Sequence, residues 1–80
     1  ELTIRVRFSY DPNIVLDQFP TAKIIEINSE GNIIEFVSQD TPGLKRWLLS
    51  QADALTVLSP TSLVEDMKHF LKNMQENYKN

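Results

Sequence analysis

Apolar and polar positions change period several times along the chain, and each change marks an element. Leu2-Thr3-Ile4-Arg5-Val6-Arg7-Phe8 alternates strictly. This predicts a strand with Leu2, Ile4, Val6 and Phe8 toward a core and Thr3, Arg5 and Arg7 on the opposite face. Asp11-Pro12 then supplies a cap and a first-turn proline, and Ile14, Val15, Leu16 and Phe19 give a short helical stripe ended by Pro20. Ala22 to Ile27 and Asn32 to Ser38 read as two strands joined through Asn28-Ser29-Glu30-Gly31, in which Gly31 is free to take positive φ. Ile34 and Phe36 are the inward residues of the third strand. The second, with Ile24, Ile25 and Ile27, has no clean alternation and its register stays open.

Thr41-Pro42 repeats the cap-and-proline start, and Leu44, Trp47 and Leu48 fall on one helical face with Lys45 and Arg46 on the other. After a polar step, Ala54 to Leu58 is a mostly apolar strand. Ser59-Pro60 is expected to cap and open the longest helix, running to about Tyr78, with Leu63, Met67, Phe70, Leu71, Met74 and Tyr78 recurring at three and four. Such a helix is nearly 30 Å long at about 1.5 Å per residue, so its last turns are expected to pack on something outside these residues. Trp47 is the only tryptophan. A Trp buries on the order of 200 Å², and Trp47, Leu48 and Pro60 are the expected structural anchors, with Trp47 buried between sheet and helices.

The order β-α-β-β-α-β-α predicts an α+β fold: a ferredoxin-like βαββαβ antiparallel sheet with an additional C-terminal helix. Right-handed crossovers put the first and third strands in the middle. The helices then cover one face, and the other carries Thr3, Arg5 and Arg7 beside Glu35 as a candidate partner or effector face.

Eighty residues predict one domain, 1–80. A strand-like run that opens at Glu1 without an initiator Met predicts a piece of a longer protein. There is no cysteine, so no disulfide frame and no thiolate metal site. No run of about 18 apolar residues is present to span a membrane. Eight basic residues stand against eleven acidic, a formal charge of −3, which argues against these residues gripping a nucleic-acid backbone by themselves.

Candidate chemistry is sparse. His69 has no second His or Cys to share a metal. Glu65-Asp66 lie early on a helix, where carboxylates complement the dipole, and neighbours about 100° apart cannot flank one substrate bond. With only Gly31 and Gly43 there is no glycine-rich phosphate loop. Ser50, Ser59 and Ser62 have no positioned base. A phosphate-cradling enzyme on this fold would need a loop after the first strand unlike Ser9-Tyr10-Asp11-Pro12, which has no glycine and carries a carboxylate. The expectation is a non-enzyme with no cofactor.

Leu44-Lys45-Arg46-Trp47-Leu48-Leu49-Ser50, then Leu55-Thr56-Val57-Leu58-Ser59-Pro60 and a helix closing near Tyr78, resembles the C-terminal extension of bacterial WYL-domain transcriptional regulators, the WCX domain. One departure stands out: that family usually has Phe-Gly after Leu-Leu-Ser, and here Gln51-Ala52 take that place. The resemblance implies a ferredoxin-like fold and a cytoplasmic parent with an N-terminal DNA-binding helix-turn-helix and a WYL domain thought to sense a nucleotide or oligonucleotide effector. It implies a regulatory, homodimer-forming role for this part, and no DNA contact by it. A free-standing ACT-like small-molecule sensor is the alternative on the same fold; its ligand site usually has a glycine between the first strand and helix, absent here.

Overall fold

The alternating run at the N terminus becomes the strand through which the whole sheet is assembled. In the computed structural model, which describes residues 1–79, β1 (Leu2–Phe8) pairs antiparallel with β3 (Gly31–Ser38) on one side and β4 (Leu55–Ser59) on the other. β2 (Lys23–Asn28) pairs with β3 alone, so the order is β2-β3-β1-β4, with β1 and β3 central. Three helices, α1 (Asn13–Gln18), α2 (Pro42–Ser50) and α3 (Thr61–Asn77), and a 3₁₀ turn at Ala52–Ala54 complete the expected βαββαβ arrangement and its extra helix. The thinnest dimension, 20 Å, is that of one sheet and one helical layer.

The core is the helix-facing side of that sheet. Ile4, Val6 and Phe8 of β1, and Ile34 and Phe36 of β3, are at most 1% exposed. Leu55 and Val57 of β4, Val15 and Phe19 of the α1 segment, Leu44 and Leu48 of α2, and Leu63 and Met67 of α3 close over them. No polar or charged residue is buried among the described residues. Each fully buried Ile, Leu or Phe contributes about 1.5–3 kcal/mol, and for so short a chain those few side chains are most of its cohesion.

Local chemistry sets the element ends. The Asp11 carboxylate accepts from the Asn13 N–H at 3.0 Å, but Pro12 rather than Asp11 holds the N-cap position of α1, which has no side-chain cap, and the extended Phe19 ahead of Pro20 stops the helix. Thr41 Oγ1 accepts from the Leu44 N–H at 3.1 Å, capping α2 with Pro42 in its first turn. Gly31 sits at φ +132, and a Cβ there would lie 2.5 Å from the Phe8 carbonyl oxygen. Only a residue without a side chain fits where the hairpin closes against β1.

The structure corrects two further expectations and fixes a register that the sequence left open. Ser59 does not cap the last helix: it is the final residue of β4, opposite Arg5, and Pro60 at the N-cap position is joined to it by a cis peptide bond. The Pro60 carbonyl accepts from the N–H groups of Leu63 and Val64, both at 3.1 Å, so the helix starts on backbone groups with no side-chain cap. Trp47 is only half-buried. It meets Phe19 edge-on (centroids 5.1 Å apart, planes at 86°), and Phe19 in turn stacks on Phe36. The second strand, whose register the sequence left open, contributes nothing to the core: all six residues of β2 are exposed. Its register explains why no alternation was visible. Lys23 and Ile24 stand opposite Glu35 and Ile34, but Glu26 stands opposite Ile33, so Ile25 is an extra residue that forms a bulge.

Candidate functional site

The sheet face left open by the helices is the first candidate surface. Thr3, Arg5 and Arg7 project there from central β1, as the alternation requires. Arg5 lies directly across from Glu35, and its Nε donates to Glu35 Oε2 at 2.9 Å. Lys23 Nζ reaches the other oxygen of Glu35 at 3.9 Å. Arg7 Nη1 is 3.4 Å from Glu30 Oε2, in the hairpin turn. Both guanidinium groups are thus engaged within the domain, and Thr3 opposes Val37 in the register. Each such exposed pair contributes less than about 1 kcal/mol.

Trp47, Leu48 and Pro60 lie apart from that face. Leu48 is 2% exposed beneath α2, and Trp47 and Pro60 are half-buried. Lys45, on the same helix as Trp47, proves to be a tie between elements rather than a solvated residue. Its Nζ lies 3.1 Å from Asp66 Oδ2 on α3 and 3.4 Å from Asp40 Oδ1 before α2. The hydrogen bond to Asp66, aided by the charge of Asp40, holds the ammonium above the usual lysine range.

Two further surfaces belong to α3. Its first half packs along β4 through Leu63 and Met67, whereas Phe70, Leu71, Met74 and Tyr78 are 36%, 55%, 44% and 86% exposed. The apolar stripe therefore continues past the body that it covers. Phe70 and Met74 face Leu49, Pro42 and Arg46 across a shallow groove between α3 and α2. On the other side of Leu49, a cleft of about 460 Å³ opens between the end of α2, the 3₁₀ turn, β4 and α3. Its walls include Leu48, Leu55, Val57 and Met67, and Ala52, Asp53 and Lys68 stand along it.

Ala52 occupies the position at which the sequence departs from the expected Phe-Gly. It adopts φ +54, the only positive φ of a non-glycine residue among the described residues. The turn after α2 thus keeps a left-handed backbone that glycine would hold without strain, with an alanine in its place.

The chain–family comparison accords with this architecture: the WCX domain model matches residues 1–75. This chain belongs to the WCX domain family. No curated protein and no solved structure matches it. Membership places this WCX domain in a family of regulatory domains, the C-terminal part of WYL-type regulators. No group of His, Cys, Asp and Glu suited to hold a metal occurs among the described residues. No described helix is long and apolar enough to cross a membrane. Sequence reasoning missed Lys45, whose two carboxylate partners come from separate elements, and the cleft, which four elements build together.

Proposed function

We propose that this WCX domain is the regulatory and oligomerisation module at the C-terminal end of a cytoplasmic bacterial transcription regulator, and that it does not itself grip DNA. The observation that carries this reading is the distal half of α3. Phe70, Leu71, Met74 and Tyr78 form a helical stripe that this domain leaves largely uncovered, of the kind and spacing by which amphipathic helices dock. Contiguous exposed apolar side chains of this kind mark surfaces with an interaction role. Burying it in a homodimer or against the WYL domain links the state of one part of the regulator to another. The formal charge of −3 and the absence of a recognition helix support leaving DNA to an N-terminal helix-turn-helix.

Thr3, Arg5 and Arg7 are the second surface in this proposal, a face toward the effector region or the partner subunit. The guanidinium groups suit phosphate or carboxylate once a ligand competes with Glu35 and Glu30.

The test uses the full-length regulator. Phe70→Gln/Met74→Gln is expected to leave folding intact, because both side chains are substantially exposed, and to abolish dimerisation or effector-dependent DNA binding. Arg5→Ser/Arg7→Ser is expected to change stability by less than about 1 kcal/mol while lowering the effector response. Wild-type mass in ultracentrifugation together with wild-type effector response in the first variant would overturn the role of α3. The same result in the second would leave the arginines as surface residues. Sub-micromolar duplex binding by residues 1–80 alone would refute the division of labour with the DNA-binding domain.

A further inference from the structure

From the cleft between α2, the 3₁₀ turn, β4 and α3, we infer a binding site for a small amphipathic cation: an apolar body of roughly ten carbon atoms bearing one ammonium group. The cleft shares Leu71 with the exposed half of α3 and lies apart from the open sheet face; the inference rests on the cleft's own lining and not on the oligomerisation reading.

Three observations converge. The first is size and character. A space of about 460 Å³ lies within the range of about 300–1,000 Å³ typical of small-molecule sites. Its floor is core: Leu48, Leu55, Val57 and Met67 are between 2% and 9% exposed, and the cleft reaches them from outside. An apolar ligand therefore gains contact with side chains already fixed by the fold, with little ordering cost.

The second is charge. Asp53 and Lys68 both stand along the cleft. Lys68 is engaged by Glu65 one turn earlier on the same helix, at 3.5 Å. Asp53 has no hydrogen-bond or ion-pair partner among the described residues. The uncompensated charge beside the apolar floor is thus a carboxylate, which selects a cation.

The third is backbone conformation. Ala52, held at φ +54, lies next to Asp53 on the same wall. A left-handed alanine costs about 1–2 kcal/mol relative to an ordinary conformation, and such residues cluster where a fold holds a group in place for binding. Here the strained turn sets Asp53 beside the opening between β4 and α3.

The test is a titration of the 80-residue chain, followed by methyl and amide NMR shifts, with three probes: 4-phenylbutylamine and 4-phenylbutan-1-ol, of equal apolar bulk, and 4-phenylbutyrate, one methylene shorter in its apolar part. Saturable shifts are expected for Leu48, Leu55, Val57 and Met67, with the amine bound about fivefold more tightly than the alcohol and the butyrate weakest, the size of effect that one exposed charge pair supplies. Asp53→Asn is expected to bring the amine down to the alcohol. Asp53→Lys is expected to reverse the order in favour of the butyrate. The substituted side chain is exposed and bonded to nothing, so both variants retain the fold. Equal affinities for amine and butyrate, or insensitivity of the amine to both substitutions, would overturn the inference. So would unsaturable shifts centred on Phe70 and Met74, which would mark non-specific adhesion to α3. Concentration-dependent shifts of the cleft methyls without any probe would assign the cleft to a second copy of the chain, and would equally overturn it.

Discussion

Replacing Ala52 by glycine is expected to stabilise the domain, against the usual sign of an alanine-to-glycine change. At φ +54 the Ala52 Cβ crowds the neighbouring carbonyl, at a cost of about 1–2 kcal/mol that glycine does not incur. Glycine in turn loses more freedom on folding, about 0.4–1 kcal/mol. Ala52 is exposed, so its methyl group adds little packing to offset the strain. The balance favours Ala52→Gly by about 0.5–1 kcal/mol, a rise in Tm of about 3–6 °C for a domain of this size. Urea and thermal unfolding, followed by far-UV circular dichroism and Trp47 fluorescence, measure it directly. The control is Ala54→Gly two residues on. Ala54 has negative φ and packs partly against the core, so that variant is expected to lose at least about 0.5–1 kcal/mol. If Ala52→Gly melts at or below the wild-type temperature while Ala54→Gly behaves as stated, the reasoning from backbone strain is wrong.

Gly31→Ala is expected to cost about 2–4 kcal/mol, because its Cβ would meet the Phe8 carbonyl oxygen at 2.5 Å with φ at +132; a urea midpoint equal to wild type would contradict this. Trp47→Ala is expected to cost about 2–3 kcal/mol, below the 3–5 of a fully buried aromatic, since the ring is half-buried and held edge-on by Phe19; denaturation followed by circular dichroism decides it. The Lys45 pKa is raised in the folded state, so the stability its contacts supply is fully present below the unfolded lysine pKa and is lost as the pH rises through the folded one. The alkaline decline in stability is therefore expected above the ordinary lysine range and to be shallower in Lys45→Met, as thermal melts across that range would show.

What was legible in the sequence is what depends on one element at a time. β1 alternates because it has a helix-covered face and an open face along its whole length. Thr41-Pro42 starts α2 because the cap needs only residues three apart. The Arg5–Glu35 pairing followed once β1 and β3 were neighbours. What could not be read depends on several elements or on none. The bulge at Ile25 shifts β2 between faces with no marker in an Ile-Ile-Glu-Ile run. The half-exposure of Trp47 depends on how neighbouring elements, Phe19 among them, meet the ring, not on the spacing of its own helix. The length of α3 announced that its last turns outrun the body, but its helical period did not tell that the cover ends after Met67. Glu30 as the partner of Arg7 depends on how the hairpin turn curls back, and the cleft exists only where four elements fail to meet.

The bulge in β2 has a consequence for the molecule in a crowded solution. β2 lies at the margin of the sheet with its outer N–H and C=O groups unpaired, and it carries three isoleucines within four residues. Short segments of this kind readily add further strands and seed aggregation. A flat Lys23–Asn28 would present such an edge in full. The extra residue at Ile25 breaks the regular spacing of that edge and increases its twist. Lys23 and Glu26 flank the bulge as charged gatekeepers against an incoming strand. The irregularity that hid this strand's register from the sequence therefore also works against extension of the sheet by a neighbouring molecule.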